Sequence, residues 1–343
     1  MAVVFVVVAI VFSGHTTLQG LLRFDGVWYA RIAMHGYAPV AGPMQPSAFL
    51  PLFPAVVAVA HAALPFISLP LTGVLVNVAA TVGAAMLVAE TLREWPLRDR
   101  LLAVVALLVV PSAFFDVMFY SEGLFFLATA LVLWSVQRPQ RLWWAPLGVV
   151  AATLDRPVGL FLVVIVAAAV LHDTRPRWQR AVIVVASAAG AAVLPVMYWR
   201  VAGSPFAFLT AEQAWSSLRT IGAGDALRWM VVQLNPSTST NPVVFFGNIE
   251  LLLVGVPLLY AIRRHRAAAL YCALAMVVAF VNGNLGAQSR YLATLVPLWL
   301  LALALLRSRL PRGWIPITVA VSVLGLASNV WLLSRFAAGV WAG

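Results

Sequence analysis

Long, unbroken apolar stretches recur along the whole sequence, at about 70–92, 99–115, 118–136, 142–155, 156–172, 180–200, 242–262, 267–282, 290–307 and 314–335. A bilayer's hydrocarbon core takes ~20 apolar residues to cross as a helix. Inside it every backbone polar group must be satisfied within the protein, which leaves helices or closed barrels. The runs are continuous rather than alternating, so the chain reads as an all-α polytopic membrane protein. Its charged fraction of 10% fits that reading, since soluble proteins carry about 25%. No internal repeat or low-complexity linker divides it, and 1–343 is taken as one domain. The opening MAVVFVVVAIVFSG has no basic start and no small-x-small cleavage site. It is read as a short first span rather than a signal peptide, its shortness leaving a start further upstream open.

The net charge of +11 comes from arginine alone, because the chain has no lysine. In a soluble chain such a charge would suggest nucleic acid; here arginines at cytoplasmic helix ends account for it, and no nucleic-acid partner is expected. Five clusters, Arg93/Arg98/Arg100, Arg138/Arg141, Arg175/Arg177/Arg180, Arg263/Arg264/Arg266 and Arg307/Arg309/Arg312, follow one another at intervals of two helices. They are expected on one face, the cytoplasmic one. The turns at 116–122, 154–158, 201–241 and 283–290 then face outward with Asp116, Glu122, Asp155, Glu212 and Asp225. The single cysteine, Cys272, lies in an apolar run and excludes an internal disulfide.

The first long polar interruption spans Leu22–Pro54 and overlaps an expected outer loop of about 15–48. It holds Arg23, Asp25, Arg31 and His35 among Trp28, Tyr29 and Tyr37. Asp25, between Phe24 and Gly26, has two readings: a partly desolvated general base, or a carboxylate paired with Arg23 or Arg31. Arg23 and Arg31 can grip a phosphate in a guanidinium fork or meet lipid headgroups. His35 reads as a hydrogen-bonded loop histidine before a ligand. The segment 49–66 carries Pro51, Pro54 and Pro65; bent along the outer surface it leaves Asp25 outside, and fully spanning it puts Asp25 inside.

Further on, Glu122 opens an apolar run, where the positive end of a helix dipole already favours an anion. Asp155-Arg156-Pro157 separates two runs, and ionisable groups there mark either function or a local ion pair. Arg290 and Tyr291 start another run; an arginine at a helix N-terminus opposes the dipole and predicts a negative partner, a carboxylate or a lipid phosphate. The loop 201–241 spaces Phe206, Phe208, Trp215 and Leu218 as an amphipathic helix on the bilayer surface would. Its Glu212 and Gln213 either line an acceptor groove or form a solvated face. There is no glycine-rich phosphate loop, no Gly-x-Ser-x-Gly elbow and no metal-ligand spacing of the five histidines. No cofactor is expected, a divalent cation being left open.

Taken together, FDGVWYARIAMHGY at 24–37, AFLPLFP at 48–54, FYSEGLFF at 119–126, DRPVGL at 155–160, SPFAFLTAEQAW at 204–215 and SRYLATLVP at 289–297 occur in order over most of the chain. They resemble the motifs of the PIG-V-type mannosyltransferases, integral-membrane glycosyltransferases of the GT-C class with bacterial, actinobacterial members. The chain departs from the family pattern at Phe24 (usually Trp), Ser121 (Thr) and Asp155 (Thr), the last adding an acid beside Arg156.

The resemblance implies a GT-C-like bundle of about 11 transmembrane helices with a long first extracytoplasmic loop and re-entrant or interfacial helices. It implies a polyprenyl-phosphate-mannose donor, an active site on the extracytoplasmic side, and inverting transfer to a glycan, lipid or protein acceptor. Asp25 would then be the catalytic base. Charge and side add Arg156, Arg290 and Arg23 as donor-phosphate ligands. Trp28, Tyr29, His35, Tyr120, Glu122, Glu212, Gln213 and Tyr291 would contact substrate. The competing reading is a transporter or flippase of an amphipathic lipid or lipid-linked sugar. Such proteins place ionisable groups near the midplane, often on paired repeats, whereas here they gather at one face.

Overall fold

The computed structural model describes residues 21–212, 247, 249–281 and 287–342. Among these residues every regular element is helical. The helices are α1 (Asp25–His35), α2 (Leu52–Ala63), α3 (Leu69–Thr91), α4 (Leu97–Leu107), α5 (Glu122–Ser135), α6 (Ala145–Asp155), α7 (Val163–Leu171), α8 (Arg177–Ser187) and α9 (Gly190–Ala202). Then come α10 (Ala207–Glu212), α11 (Val256–Ala261), α12 (Arg266–Val281), α13 (Gln288–Ala293), α14 (Val296–Arg309) and α15 (Trp314–Ala337). Proline in the first turn starts α3, α6, α11 and α14; there its fixed φ suits a helix and its missing N–H costs nothing.

Three helical stretches are long and apolar enough to cross a membrane: Leu69–Thr91, Arg177–Ala202 and Trp314–Ala337. Shorter apolar helices fill other expected runs. The runs at 99–115 and 118–136 are not helical throughout. α4 stops at Leu107 and α5 starts at Glu122; Pro111 drives the residue before it out of the α region. Likewise Pro157 replaces the start of the 156–172 run by a 3-10 segment, Pro157–Leu162, before α7. α2, with 12 residues, is about 18 Å long at 1.5 Å per residue and falls short of a ~30 Å hydrocarbon core.

The segment 108–121, regular only in a 3-10 turn at Ala113–Val117, runs between helices with several of its backbone polar groups met by side chains, the condition under which such a segment survives at membrane depth. Asn77, from the middle of α3, donates to the carbonyls of Met118 (2.7 Å) and Tyr120 (2.5 Å). Asn329 of α15 donates to those of Val109 (3.1 Å) and Val110 (2.8 Å) and accepts from the Phe114 amide (2.9 Å). Thr81 donates to the Asp116 carbonyl (2.6 Å). Gly325 lets α15 approach this segment; a Cβ there would lie 2.1 Å from the Val109 oxygen.

At one end of the bundle four of the five arginine clusters meet. Arg141 pairs with Glu90 (3.0 Å), beside Arg93. Arg307 pairs with Asp99 (2.7 Å), and Arg175 donates to the carbonyl of Pro139. α5 runs 14 residues, about 21 Å, from Glu122 to this arginine-rich end.

The stretch expected as the first loop contains α1. Asp25 is its first residue, where the dipole favours a carboxylate. Gly26, Tyr29, Ala30 and Ile32 are buried at helical spacing, so the aromatic face that reads as a loop motif is a packed helix face.

Candidate active site

α1, α5 and α13, with the α6–Arg156 junction, converge at the end of the bundle away from the arginine clusters. Their side chains form a buried chain of charge. Arg290 donates through Nη1 to Asp25 Oδ2 at 2.6 Å and through Nε to Glu122. Arg156 donates to the same Glu122 oxygen, Oε1. One carboxylate oxygen thus bridges two guanidinium groups, while Glu122 Oε2 is buried without a hydrogen bond. Glu122, Arg156 and Arg290 have side chains only 2%, 10% and 7% exposed, so the charges must compensate one another in place.

Local folding sets each group. Ser121 precedes α5, and Glu122 is the helix's first residue. Gly123 leaves room for the segment's return, since a Cβ there would meet Asn77 Oδ1 and the Asp116 carbonyl at 2.6 Å. α6 ends at Asp155, and Arg156 is extended (φ −148°, ψ 137°), which sends its side chain towards Glu122 and away from Asp155. Neither Asp155 carboxylate oxygen has a hydrogen-bond partner. Tyr29 donates to Ser121 Oγ at 3.2 Å. The Arg290 guanidinium lies 5.1 Å from the Phe115 ring, 5.0 Å from Tyr120 and 5.8 Å from Trp341, a setting in which aromatic faces favour a cation.

A cavity of about 210 Å³ opens beside this chain of charge. Asp25, Tyr29, Ser121, Asp155, Arg156, Glu212, Gln288, Arg290 and Tyr291 line it, together with apolar residues of α12 and the 48–50 segment. Glu212 arrives on α10, which packs on the Pro46–Ala48 turn. Phe208 of α10 stacks on Tyr198 at 5.5 Å, and Tyr198 donates to the Phe49 carbonyl at 3.0 Å. Burial raises the Glu212 carboxyl to about 7; Asp25 adds to this, and Arg290 and Arg156 oppose it.

Of the residues singled out from sequence, Asp25, Tyr29, Arg156, Glu212, Arg290 and Tyr291 line the cavity. Glu122 stands behind it, and Tyr120 lies under Arg290 with its hydroxyl donating to the Arg23 carbonyl (2.9 Å). Arg23 turns the other way, donating to the Ala337 carbonyl at 3.1 Å. Trp28 stacks on Phe49 (5.9 Å) and His35 is exposed at the end of α1, both off the cavity wall. Gln213 lies outside the described residues, as does most of the 201–241 loop. The ion-pair partner of Asp25 is Arg290 instead of Arg23 or Arg31, and that of Arg156 is Glu122 instead of Asp155. Gln288, Asn77 and Asn329 escape the sequence reading. A lone asparagine inside an apolar span is a signal for the last two. Among the described residues no three His, Cys, Asp or Glu side chains group to hold a metal ion.

The fold is similar to the GT-C membrane fold. No protein-family model matches the chain, and no curated protein does. Among solved structures, ArnT from Cupriavidus metallidurans in the apo state aligns with a TM-score of 0.55 at 16% identity, over 98% of this chain and 77% of ArnT. ArnT bound to undecaprenyl phosphate aligns at 0.54 with 17% identity and the same coverage. The Archaeoglobus fulgidus oligosaccharyltransferase tethered to an acceptor peptide aligns at 0.50 with 15% identity, over 100% of this chain and 55% of its own. The chain spans about half the length of that oligosaccharyltransferase.

Proposed function

We propose that this protein is a membrane glycosyltransferase that takes a sugar from a polyprenyl-phosphate carrier and passes it to an acceptor hydroxyl. The observation that carries this reading is the pair Arg156 and Arg290, buried on one cavity wall and held by a shared carboxylate oxygen of Glu122. Two fixed guanidiniums in a water-poor site suit a phosphate whose charge grows as the sugar leaves. The likeness to ArnT, solved with undecaprenyl phosphate bound, supports a lipid-phosphate carrier. The motif resemblance narrows the sugar to mannose and the family to the PIG-V type, with inversion at the anomeric carbon and a bundle of about eleven spans.

The site and the arginine-rich end lie at opposite ends of α5. With those arginines cytoplasmic, the site faces the extracytoplasmic side. Gathered charge at one end, rather than at mid-helix, favours chemistry at an interface over transport. The acceptor's proton goes to a carboxylate on the cavity wall, for which Asp25 and Glu212 are the candidates. The test is transfer of radiolabelled mannose from polyprenyl-phosphate mannose by purified protein in nanodiscs, with a panel of acceptors that includes water. Labelled product that disappears in Arg156→Met supports the reading. Flipping of the donor across liposomes without transfer replaces it with the transporter.

A further inference from the structure

Two buried polar side chains on the cavity wall lack partners within the protein. Asp155 is 4% exposed and Gln288 2%, and both line the cavity. Neither Asp155 oxygen accepts a hydrogen bond and Gln288 Nε2 donates none, so the two do not satisfy each other. Ser121 neighbours Asp155. Its Oγ already accepts from Tyr29 at 3.2 Å, and its single proton can serve one Asp155 oxygen at most. Protein interiors pair nearly all their buried polar groups, so an orphan calls for a partner from outside the fold. An acceptor without a donor and a donor without an acceptor, on one wall, describe a ligand that offers both.

Their places in the chain say which part of the ligand this is. Asp155 is joined to Arg156, and successive Cα atoms lie ~3.8 Å apart. Gln288 stands two residues before Arg290, within one turn of α13. Each arginine assigned to the donor phosphate thus has an unpartnered group beside it in the chain, lining the same cavity. The sugar is bonded directly to that phosphate. An ionised carboxylate can accept hydrogen bonds and has none to give; the phosphate of a sugar-bearing carrier has no proton to offer it, whereas the sugar's hydroxyls do. A hydroxyl oxygen also accepts, which meets Gln288 Nε2. Of the other acids on this wall, Asp25 is taken up by Arg290 at 2.6 Å, and Glu212 comes from α10, which carries neither arginine.

We propose that Asp155 and Gln288 recognise the transferred sugar, Asp155 accepting hydrogen bonds from its hydroxyls and Gln288 donating to a hydroxyl oxygen. This rests on the glycosyltransferase reading above, and it makes the pair a specificity device with no part in proton transfer. Discrimination follows from the cost of an orphan. A sugar that lacks a contacted hydroxyl leaves its partner buried and unpaired again. A site built this way rejects such an analogue by roughly 10⁴-fold, whereas an apolar wall discriminates by about 10²-fold at best.

The experiment measures kcat/KM in nanodiscs for polyprenyl-phosphate mannose and for analogues deoxygenated at each sugar hydroxyl in turn. The proteins are wild type, Asp155→Ala, Asp155→Asn and Gln288→Met. Binding of polyprenyl phosphate without a sugar is measured alongside, to show that each variant is folded and keeps its phosphate grip. The wild type is expected to reject at least one deoxy analogue by ~10⁴-fold. Asp155→Ala and Gln288→Met should each bring such a ratio down to about 10²-fold or less by losing activity on the mannose donor, while binding the bare carrier as the wild type does. Asp155→Asn, which keeps the shape and one acceptor oxygen, should fall between. If the wild type uses every deoxy analogue within about 10²-fold of the mannose donor, a result that needs no variant, the pair does not read the sugar and the glycosyltransferase reading stands. The same holds if the variants transfer with wild-type ratios. Loss of bare-carrier binding in all three variants would assign the pair to the phosphate grip or the fold and overturn the proposal as well. If the wild type transfers to no acceptor, both readings fall together.

Discussion

Arg290 and Asp25 lie 265 positions apart in sequence and 2.6 Å apart in space. The first residue of α1 and the short helix α13 are thereby tied together at the cavity wall. Removing one member of a buried pair leaves the other uncompensated, at a cost of about 3–5 kcal/mol. Arg290→Met should lower stability by about that much, since Glu122 also loses a partner. Unfolding in detergent, followed by tryptophan fluorescence, reads this. A loss below about 1 kcal/mol would mean that the pair behaves like an exposed one.

Glu122 and Arg156 should be coupled. The single variants Glu122→Gln and Arg156→Met each break the same contact, so the double variant should be less destabilised than their sum by about 0.5–3 kcal/mol. A thermodynamic cycle on the four proteins measures this. Strict additivity would separate the two side chains.

The Glu212 carboxyl also gives stability a pH dependence. Its folded value of about 7 lies above the ordinary glutamate value of about 4.3, so between those limits the folded state binds more protons than the unfolded state. Stability therefore falls as pH rises through that window. The wild-type Tm in detergent should drop from the acidic to the neutral side, with a shallower slope in Glu212→Gln. Parallel slopes would show that Glu212 is solvated in the folded protein.

Asn77→Ala should destabilise by about 1–3 kcal/mol, because the carbonyls of Met118 and Tyr120 lose their shared donor. The backbone it releases leads directly into Ser121 and Glu122, so transfer should fall although Asn77 does not line the cavity. Activity assays at matched folded fraction separate the two effects. A variant equally active per folded molecule would make Asn77 a stability residue alone.

Asp25, Glu122, Arg156 and Arg290 are legible in the sequence because each interrupts or opens an apolar run, where a charge is costly. Their partners are not. Proximity in sequence suggests Asp25 with Arg23 or Arg31 and Asp155 with Arg156. At Arg156 the backbone leaves the helix that ends at Asp155 for an extended conformation, and its guanidinium meets Glu122 instead. At α1 the surprise is secondary structure: the spacing of Gly26, Tyr29, Ala30 and Ile32 is helical, but the aromatic and charged content of the stretch masks it. The 108–121 segment is hidden for the opposite reason. Most of its residues are as apolar as a span, and only Pro111 and the Asp116 turn hint that the helix stops.

The order in which these parts leave the ribosome has its own consequence. At a synthesis rate of roughly 5–20 residues per second, Asp25 is made about 13 to 53 seconds before its partner Arg290, and Glu122 waits about 8 to 34 seconds for the second of its two cations. A nascent chain thus holds its acids in the translocon or the bilayer without their full counter-charge. A ribosomal product ending before Arg290 would carry Asp25 without its ion-pair partner and Glu122 with Arg156 alone, a mark by which membrane quality control could tell it from the finished protein.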